Sequence, residues 1–169
     1  LQSLDLEEQL KELTFDMVIC FNPSNSTLFN QTILHTGKLV LIAPKDQSPK
    51  EGIFKLSTIK DEPFIKIKNL KTNQAQNNLD EVLAREGIRV NWIAETETIQ
   101  VAKAMVEKGS GYSIIDDFSA KIYGESISIR EIEPSIGYEI CMISNKEKPL
   151  SVNAKSFISF LEGVVSDSN

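Results

Sequence analysis

The chain has 169 residues, 41% of them hydrophobic, enough for one domain with a sizeable core or for two small lobes. Its 18 basic and 24 acidic residues leave a net charge of -6, and the densest basic spot is the pair Lys66 and Lys68 in "FIKIK"; gripping nucleic acid needs clustered Lys and Arg, so direct binding to DNA or RNA is not expected of this chain. No apolar run reaches the length of a membrane span and no signal peptide is visible, so no membrane association is expected.

The opening "LQSLDLEEQL" reads as a chain cut within a larger protein. Asp5 as N-cap, Glu8 three residues on, and the stripe Leu6, Leu10, Leu13 predict a first helix. "MVICF" is a short, nearly continuous apolar strand of the kind buried on both faces, and "NPSNS" breaks it. "KLVLIAP" is a second such strand, closed by Pro44. A polar stretch follows, with one helical turn expected around Leu56 to Lys60. From there strands and helices alternate: strand "PFIKIK", helix "NNLDEVLAREG" with Leu79, Val82 and Leu83 inward and Gly87 after it, strand "VNWIAE", helix "TIQVAKAMVEKG" with Ile99, Ala102, Met105 and Val106 inward, strand "YSIID", short helix "DFSAKIYG". Strands "SISIREI" and "GYEICMIS" come next. A last helix carries Ala154, Phe157, Ile158, Leu161, Val164 and Val165 on one face, with Ser151 as its cap. Such alternation predicts an α/β fold with a mainly parallel sheet.

The Gly-Ser-Gly of "EKGSGYSIID" resembles half of a phosphate loop, but the order is wrong. A dinucleotide loop follows a strand and opens a helix, whereas Gly109 and Gly111 follow a helix and open a strand. They are expected to be a helix C-cap and a tight turn. The single histidine, His35, stands in no nucleophile pattern, and no spacing of His, Cys or carboxylates suggests a metal; no enzymatic activity and no cofactor are expected. Asp117 is expected to cap the helix that follows it. Cys20 and Cys141 lie in apolar runs and are expected to be reduced, mostly buried, and in a reducing compartment, with a single disulfide between them as the alternative. At "AETETIQ" a strand hands over to a helix. Thr96 and Thr98 place hydroxyls beside unpaired helix N–H groups, which makes an anion site or a plain cap; the charge of Glu97 opposes an anion there.

In this order the elements resemble the effector-binding domain of LysR-type transcriptional regulators. "EEQLKELTFDMVIC" is similar to the family's helix and following strand, with Thr14 and Phe15 where Gly is usual. "LVLIAPKDQS" is similar to its "L-V-L-V-x-P-x-D-H-P", with Gln47 and Ser48 for His-Pro. "ETETIQVAKAMVEKGSGYSIID" resembles its "V-x-x-G-x-G-I-x-x-L-P" segment, with Asp116 in the Pro place, and "ICMISNKEKPLSVNAKSFISFLEGVV" its closing strand and helix. The resemblance implies a two-lobed fold like the type II periplasmic binding proteins: lobe one from residues 1–44 and 143–169, lobe two from 45–142, and a small polar or anionic effector in the cleft. It also implies a cytoplasmic protein that forms homodimers or tetramers and binds DNA only through an N-terminal winged helix-turn-helix, which these residues do not include. The first strand, first helix and second strand of the family's domain are likewise expected to be missing. Position by position, the resemblance assigns effector contact to Ser3, Phe21, Asn22, Lys68, Asn69, Thr96, Glu97 and Thr98. A solute-binding protein of the same fold outside the cytoplasm is the alternative reading, and a small α/β enzyme a third.

Overall fold

The computed structural model describes residues 10, 12, 15–21, 27–47, 52–68, 74–122 and 126–166. In chain order these form β1 (Met17–Phe21), β2 (Phe29–Pro44), a 3-10 turn (Lys45–Gln47), β3 (Phe54–Lys55), a 3-10 turn (Leu56–Thr58), β4 (Pro63–Ile67), α1 (Gln74–Arg85), β5 (Asn91–Thr96), α2 (Ile99–Glu107), β6 (Tyr112–Asp116), α3 (Asp117–Ile122), β7 (Ile127–Glu133), β8 (Gly137–Asn145) and α4 (Val152–Ser166). The residues divide into two compact units, one made of Leu1–Thr36, Lys71–Gln74 and Glu139–Asn169, the other of Gly37–Leu70 and Ala75–Tyr138. Both divisions in the long strands fall inside β2 and β8. The helix expected around Leu6 to Leu13 lies almost wholly outside the described residues.

The first unit takes the strand order β1-β8-β2. β1 runs antiparallel to β8, with Val18 opposite Ile143 and Cys20 opposite Cys141. Leu10, Val18, Phe29 and Ile143 close into a small core, with Cys20 packed on its margin. Cys141 is fully buried and Cys20 only half-buried, so the expectation of two buried thiols holds for one of them. α4 begins as read: Ala154 N donates to Ser151 Oγ at 3.2 Å, and Ser151 Oγ donates in turn to Asp16 Oδ2 at 3.0 Å. Its apolar face is narrower than the periodicity predicts. Ala154 is buried, but Phe157 remains 43% exposed.

The second unit holds a parallel core. β4 pairs in parallel with β5 on one side and β6 on the other, and α1 and α2 are the crossover helices that such pairs require. β2 and β7 depart from this direction. β6 pairs antiparallel with β2, Leu41 opposite Ile114; β7 pairs antiparallel with the other edge of β2, Leu41 opposite Arg130; β3 pairs in parallel with β7. The sheet is therefore mixed, not mainly parallel. "KLVLIAP" reads as a doubly buried strand, and Leu39 to Pro44 are indeed buried throughout, but residue type carries no information on strand direction.

Val40 and Ile42 of β2, Ile65 and Ile67 of β4 and Ile115 of β6 pack with Ala102 and Val106 of α2 into the main core, where each fully buried aliphatic side chain contributes about 1.5–3 kcal/mol. On the opposite face Phe64, fully buried, meets Tyr112 at 5.6 Å between ring centroids and Trp92 edge-on at 6.1 Å. Buried polar groups find partners, as burial demands. Ser113 Oγ donates to Ile65 O at 2.8 Å, and Gln76 Nε2 to Ile114 O at 3.1 Å. Leu39 N donates to Ile136 O at 2.8 Å, holding together the two points where the chain leaves this unit.

The acidic pair before α3 corrects one expectation. Asp116, not Asp117, caps the helix, its Oδ1 accepting from Ser119 N at 2.7 Å. Asp117 Oδ1 instead accepts from Tyr138 Oη at 2.8 Å and from Lys38 N at 3.2 Å. Burial first, then this hydrogen bond, push the Tyr138 phenol above its usual pKa. The bond therefore stabilises the fold at every pH below the ordinary tyrosine value of about 10 and is lost only as pH rises beyond it. Tyr138→Phe removes a buried donor to a carboxylate and should lower unfolding free energy by about 1.5–3 kcal/mol, read from urea denaturation at neutral pH.

The Gly-Ser-Gly segment is structural. Gly109 adopts φ 77° after α2, Ser110 N donates to Met105 O at 3.0 Å and Gly109 N to Val106 O at 2.9 Å, the double bond pattern that closes a helix on a left-handed glycine. Gly111 has φ 150°, and a Cβ there would collide with Pro63 O. Gly111→Ala should therefore cost roughly 2 kcal/mol or more through strain and displaced backbone, seen as a lower midpoint of chemical denaturation.

Candidate functional site

β4 and β5 end side by side, with Ile67 opposite Thr96. Lys68 follows β4, and its N donates to Thr96 O at 2.8 Å, extending the ladder by one rung. Glu97 and Thr98 then turn the chain into α2. This is the carboxyl edge of parallel strands meeting a helix N-terminus, where open α/β sheets take ligands.

Thr98 is the N-cap of α2, with extended backbone at φ -125° and ψ 140°, and its Oγ1 accepts from Val101 N at 3.4 Å. A hydroxyl that accepts still has its proton to donate. Thr96 Oγ1 accepts from Thr98 N at 3.3 Å and lies 3.4 Å from Thr98 O. The two threonines thus shape the helix start, and the first N–H groups of α2 have no acceptor within the helix. Their dipoles make this end positive by roughly half a charge.

Lys68 Nζ reaches Glu97 Oε1 at 3.0 Å, with both side chains more than half exposed. The hydrogen bond and charge of Glu97 raise the Lys68 pKa, and Glu95 adds to the effect. A pair this exposed contributes little to stability, because water competes for both ends and salt screens the attraction. Two residues earlier, Lys66 is held more firmly. Its Nζ lies 3.0 Å from Asp80 Oδ2 of α1 and 5.6 Å from the centre of the Trp92 ring, so it ties α1 to the sheet.

Lys68, Thr96, Glu97 and Thr98, four of the residues singled out in the sequence, therefore share one corner of the second unit. Phe21 ends β1 in the first unit, half-buried and opposite Ile140. Ser3, Asn22 and Asn69 lie outside the described residues. The pairing of Lys68 with Glu97 went unread, since 29 residues separate them and only the β4–β5 register brings them together. Glu95 went unread as well; only its alternation with Thr96 along β5 hints at it. His35 lies half-buried in β2. Among the described residues no three His, Cys, Asp or Glu side chains converge as a metal site, and no helix is long and apolar enough to cross a membrane.

Glu97→Gln should return the Lys68 amine toward its ordinary pKa near 10.5 while leaving the denaturation midpoint nearly unchanged, both measurable by NMR titration of lysine side chains and by thermal melts.

One family's sequence model, described as the LysR substrate binding domain, matches residues 1–166. No curated protein matches the chain by sequence. Among solved structures, the regulatory domain of CcmR from Synechocystis PCC6803, in complex with 2-PG, superposes with a TM-score of 0.81 at 19% identity over 95% of this chain and 78% of that one. The effector binding domain of QuiR in complex with shikimate gives 0.77 at 21% identity, over 96% and 77%. Full-length CbnR complexed with its target DNA gives 0.75 at 18% identity, over 94% of this chain and 56% of that one. At these identities the likeness establishes the fold, an α/β architecture of the type II periplasmic-binding-protein kind.

Proposed function

The chain belongs to the LysR substrate binding domain family, and from that premise we propose that it is the ligand-sensing domain of a LysR-type transcriptional regulator that responds to a small polar or anionic effector. The family match across residues 1–166 carries the reading. The ligands in the CcmR and QuiR structures, 2-PG and shikimate, favour a small oxygen-rich molecule. In this reading the protein is cytoplasmic, acts by binding and without turnover, assembles as a homodimer or tetramer, and meets DNA through a separate domain; the CbnR complex supports the last point.

The corner formed by Lys68, Thr96, Glu97 and Thr98 is the effector's anchor in the second unit, and Phe21, with Ser3, Asn22 and Asn69, supplies contacts elsewhere. An effector anion would draw Lys68 away from Glu97, a low-cost exchange for so exposed a pair. It would also accept from the α2 N–H groups and the Thr98 hydroxyl. Thr96 and Thr98 have short, stiff side chains, so little freedom is lost on binding.

A thermal-shift screen that starts with 2-PG and shikimate and extends to small carboxylates and phosphates tests the reading, since a ligand that binds only the folded state raises Tm by mass action. Absence of any shift across the screen would count against it. For an effector so found, Thr96→Val with Thr98→Val should weaken binding at least tenfold by calorimetry, each bond to a charged group being worth roughly 1.5–3 kcal/mol. Loss of the cap should also lower stability by about 1 kcal/mol. Thr98→Ser keeps both hydroxyl roles and should retain affinity. An unchanged Kd in the double variant would remove this corner from the site.

A further inference from the structure

β1 and β8 pair antiparallel with Cys20 directly opposite Cys141. Opposed residues on antiparallel strands project to the same face, with Cα atoms about 4.5 or 5.5 Å apart and Cβ atoms about 4.5–5.5 Å apart. A disulfide accepts Cα separations of about 4.4–6.8 Å and Cβ separations of about 3.5–4.5 Å. The backbone frame therefore already suits a bond, and the Cβ atoms need to close by about an ångström or less. No disulfide joins the two thiols in this structure. We propose that Cys20 and Cys141 form a reversible disulfide pair, closed by a peroxide and reopened by a thiol reductant.

The two thiols differ in a way that divides the chemistry between them. Cys20 is half-buried on β1, which ends the strand order of its unit, and so can be reached from solvent. Cys141 is fully enclosed; Gln31 Nε2 donates to its Sγ at 3.3 Å and Glu139 Oε2 lies 3.8 Å away. Burial pushes the Cys141 thiol up, making it a poor first target for an oxidant. Cys20 is thus the sulfur oxidised first. Its thiolate attacks the peroxide oxygen, the O–O bond breaks, water leaves and Cys20 becomes a sulfenic acid. Cys141 then attacks that sulfur, the S–OH bond breaks, a second water leaves and the S–S bond forms. One peroxide is reduced as two thiols are oxidised. Any closing of the Cβ atoms that the bond requires stores strain, and strained disulfides are the readily reduced ones. The bond would pin β1 to β8 one residue before Phe21. Any effect on effector binding rests on the role given to Phe21 above, whereas the disulfide itself does not.

The test treats the folded chain with a small excess of hydrogen peroxide, quenches in acid, alkylates remaining thiols in denaturant and maps unreduced tryptic peptides by mass spectrometry. Both thiols should disappear together, in a monomeric species carrying a Cys20–Cys141 linked peptide, and reduced glutathione should restore them. In Cys141→Ser, Cys20 should accumulate as a sulfenic acid trapped by dimedone; in Cys20→Ser, Cys141 should remain alkylatable. Independent loss of one thiol in the wild-type chain, a link between chains, or a link formed only when peroxide is added in urea would each overturn the proposal.

Discussion

The middle of β2 is the constraint on which the second unit depends. From Leu39 to Pro44 it is buried, and from Val40 to Ile42 it is paired along both edges, to β6 on one side and β7 on the other. A strand in that position has no polar alternative, because every N–H and C=O must find a partner and every side chain must be apolar. "LVLIAP" meets the second demand, and Pro44, which lacks an N–H, can stand only where the ladder ends. Once β2 is fixed, β6 is fixed against it, β4 against β6, and β5 against β4. The corner at Lys68 and Thr96 is the far end of that chain of registers.

This dependence explains what was legible beforehand. Helices α1 and α2 announce themselves by periodicity and a glycine after the end, and α2 also by a hydroxyl at its start, all local signals. The Schellman turn at Gly109 was readable because its logic is confined to six residues. Strand direction was not readable, because Leu41 makes the same apolar demand whether its neighbour runs parallel or antiparallel. The first half of β2 escaped notice for a different reason. "FNQTILHTG" neither alternates cleanly nor runs apolar, and its residues from Asn30 to Ile33 are exposed, so tertiary pairing and not side-chain pattern makes it a strand. Phe157 shows the converse: a face drawn from periodicity marks what a helix could bury, and exposure depends on what lies opposite.

The candidate site was half legible. Hydroxyls at a strand-to-helix junction point to a helix start in any sequence, and the resemblance to one family placed a ligand there. That Thr98 caps α2 does not compete with such a role, since accepting from Val101 N occupies a lone pair and leaves the proton. The objection raised by Glu97, a carboxylate beside a site for anions, softens once Lys68 is found on it. The two charges nearly cancel, Glu95 adds one more carboxylate that Lys68 feels, and the helix end works against it. Opposed charges of this kind suit ligands that bring hydroxyls as well as a charge, because no single strong attraction dictates the pose.

The bond from Leu39 N to Ile136 O has a consequence for how the chain finds this structure. The first unit is assembled from sequence-distant pieces: Ser151 meets Asp16 across 135 residues, and β1 meets β8 over a similar span. Closing a flexible loop of that size is entropically expensive and kinetically slow. The second unit is nearly contiguous, Gly37–Leu70 with Ala75–Tyr138, so its own contacts close shorter loops. When it forms, the Leu39–Ile136 bond holds its two exits side by side, so the ends emerge as neighbours and the long loop is already closed. The remaining search is between the two tails, which favours an assembly order in which the uninterrupted unit forms first.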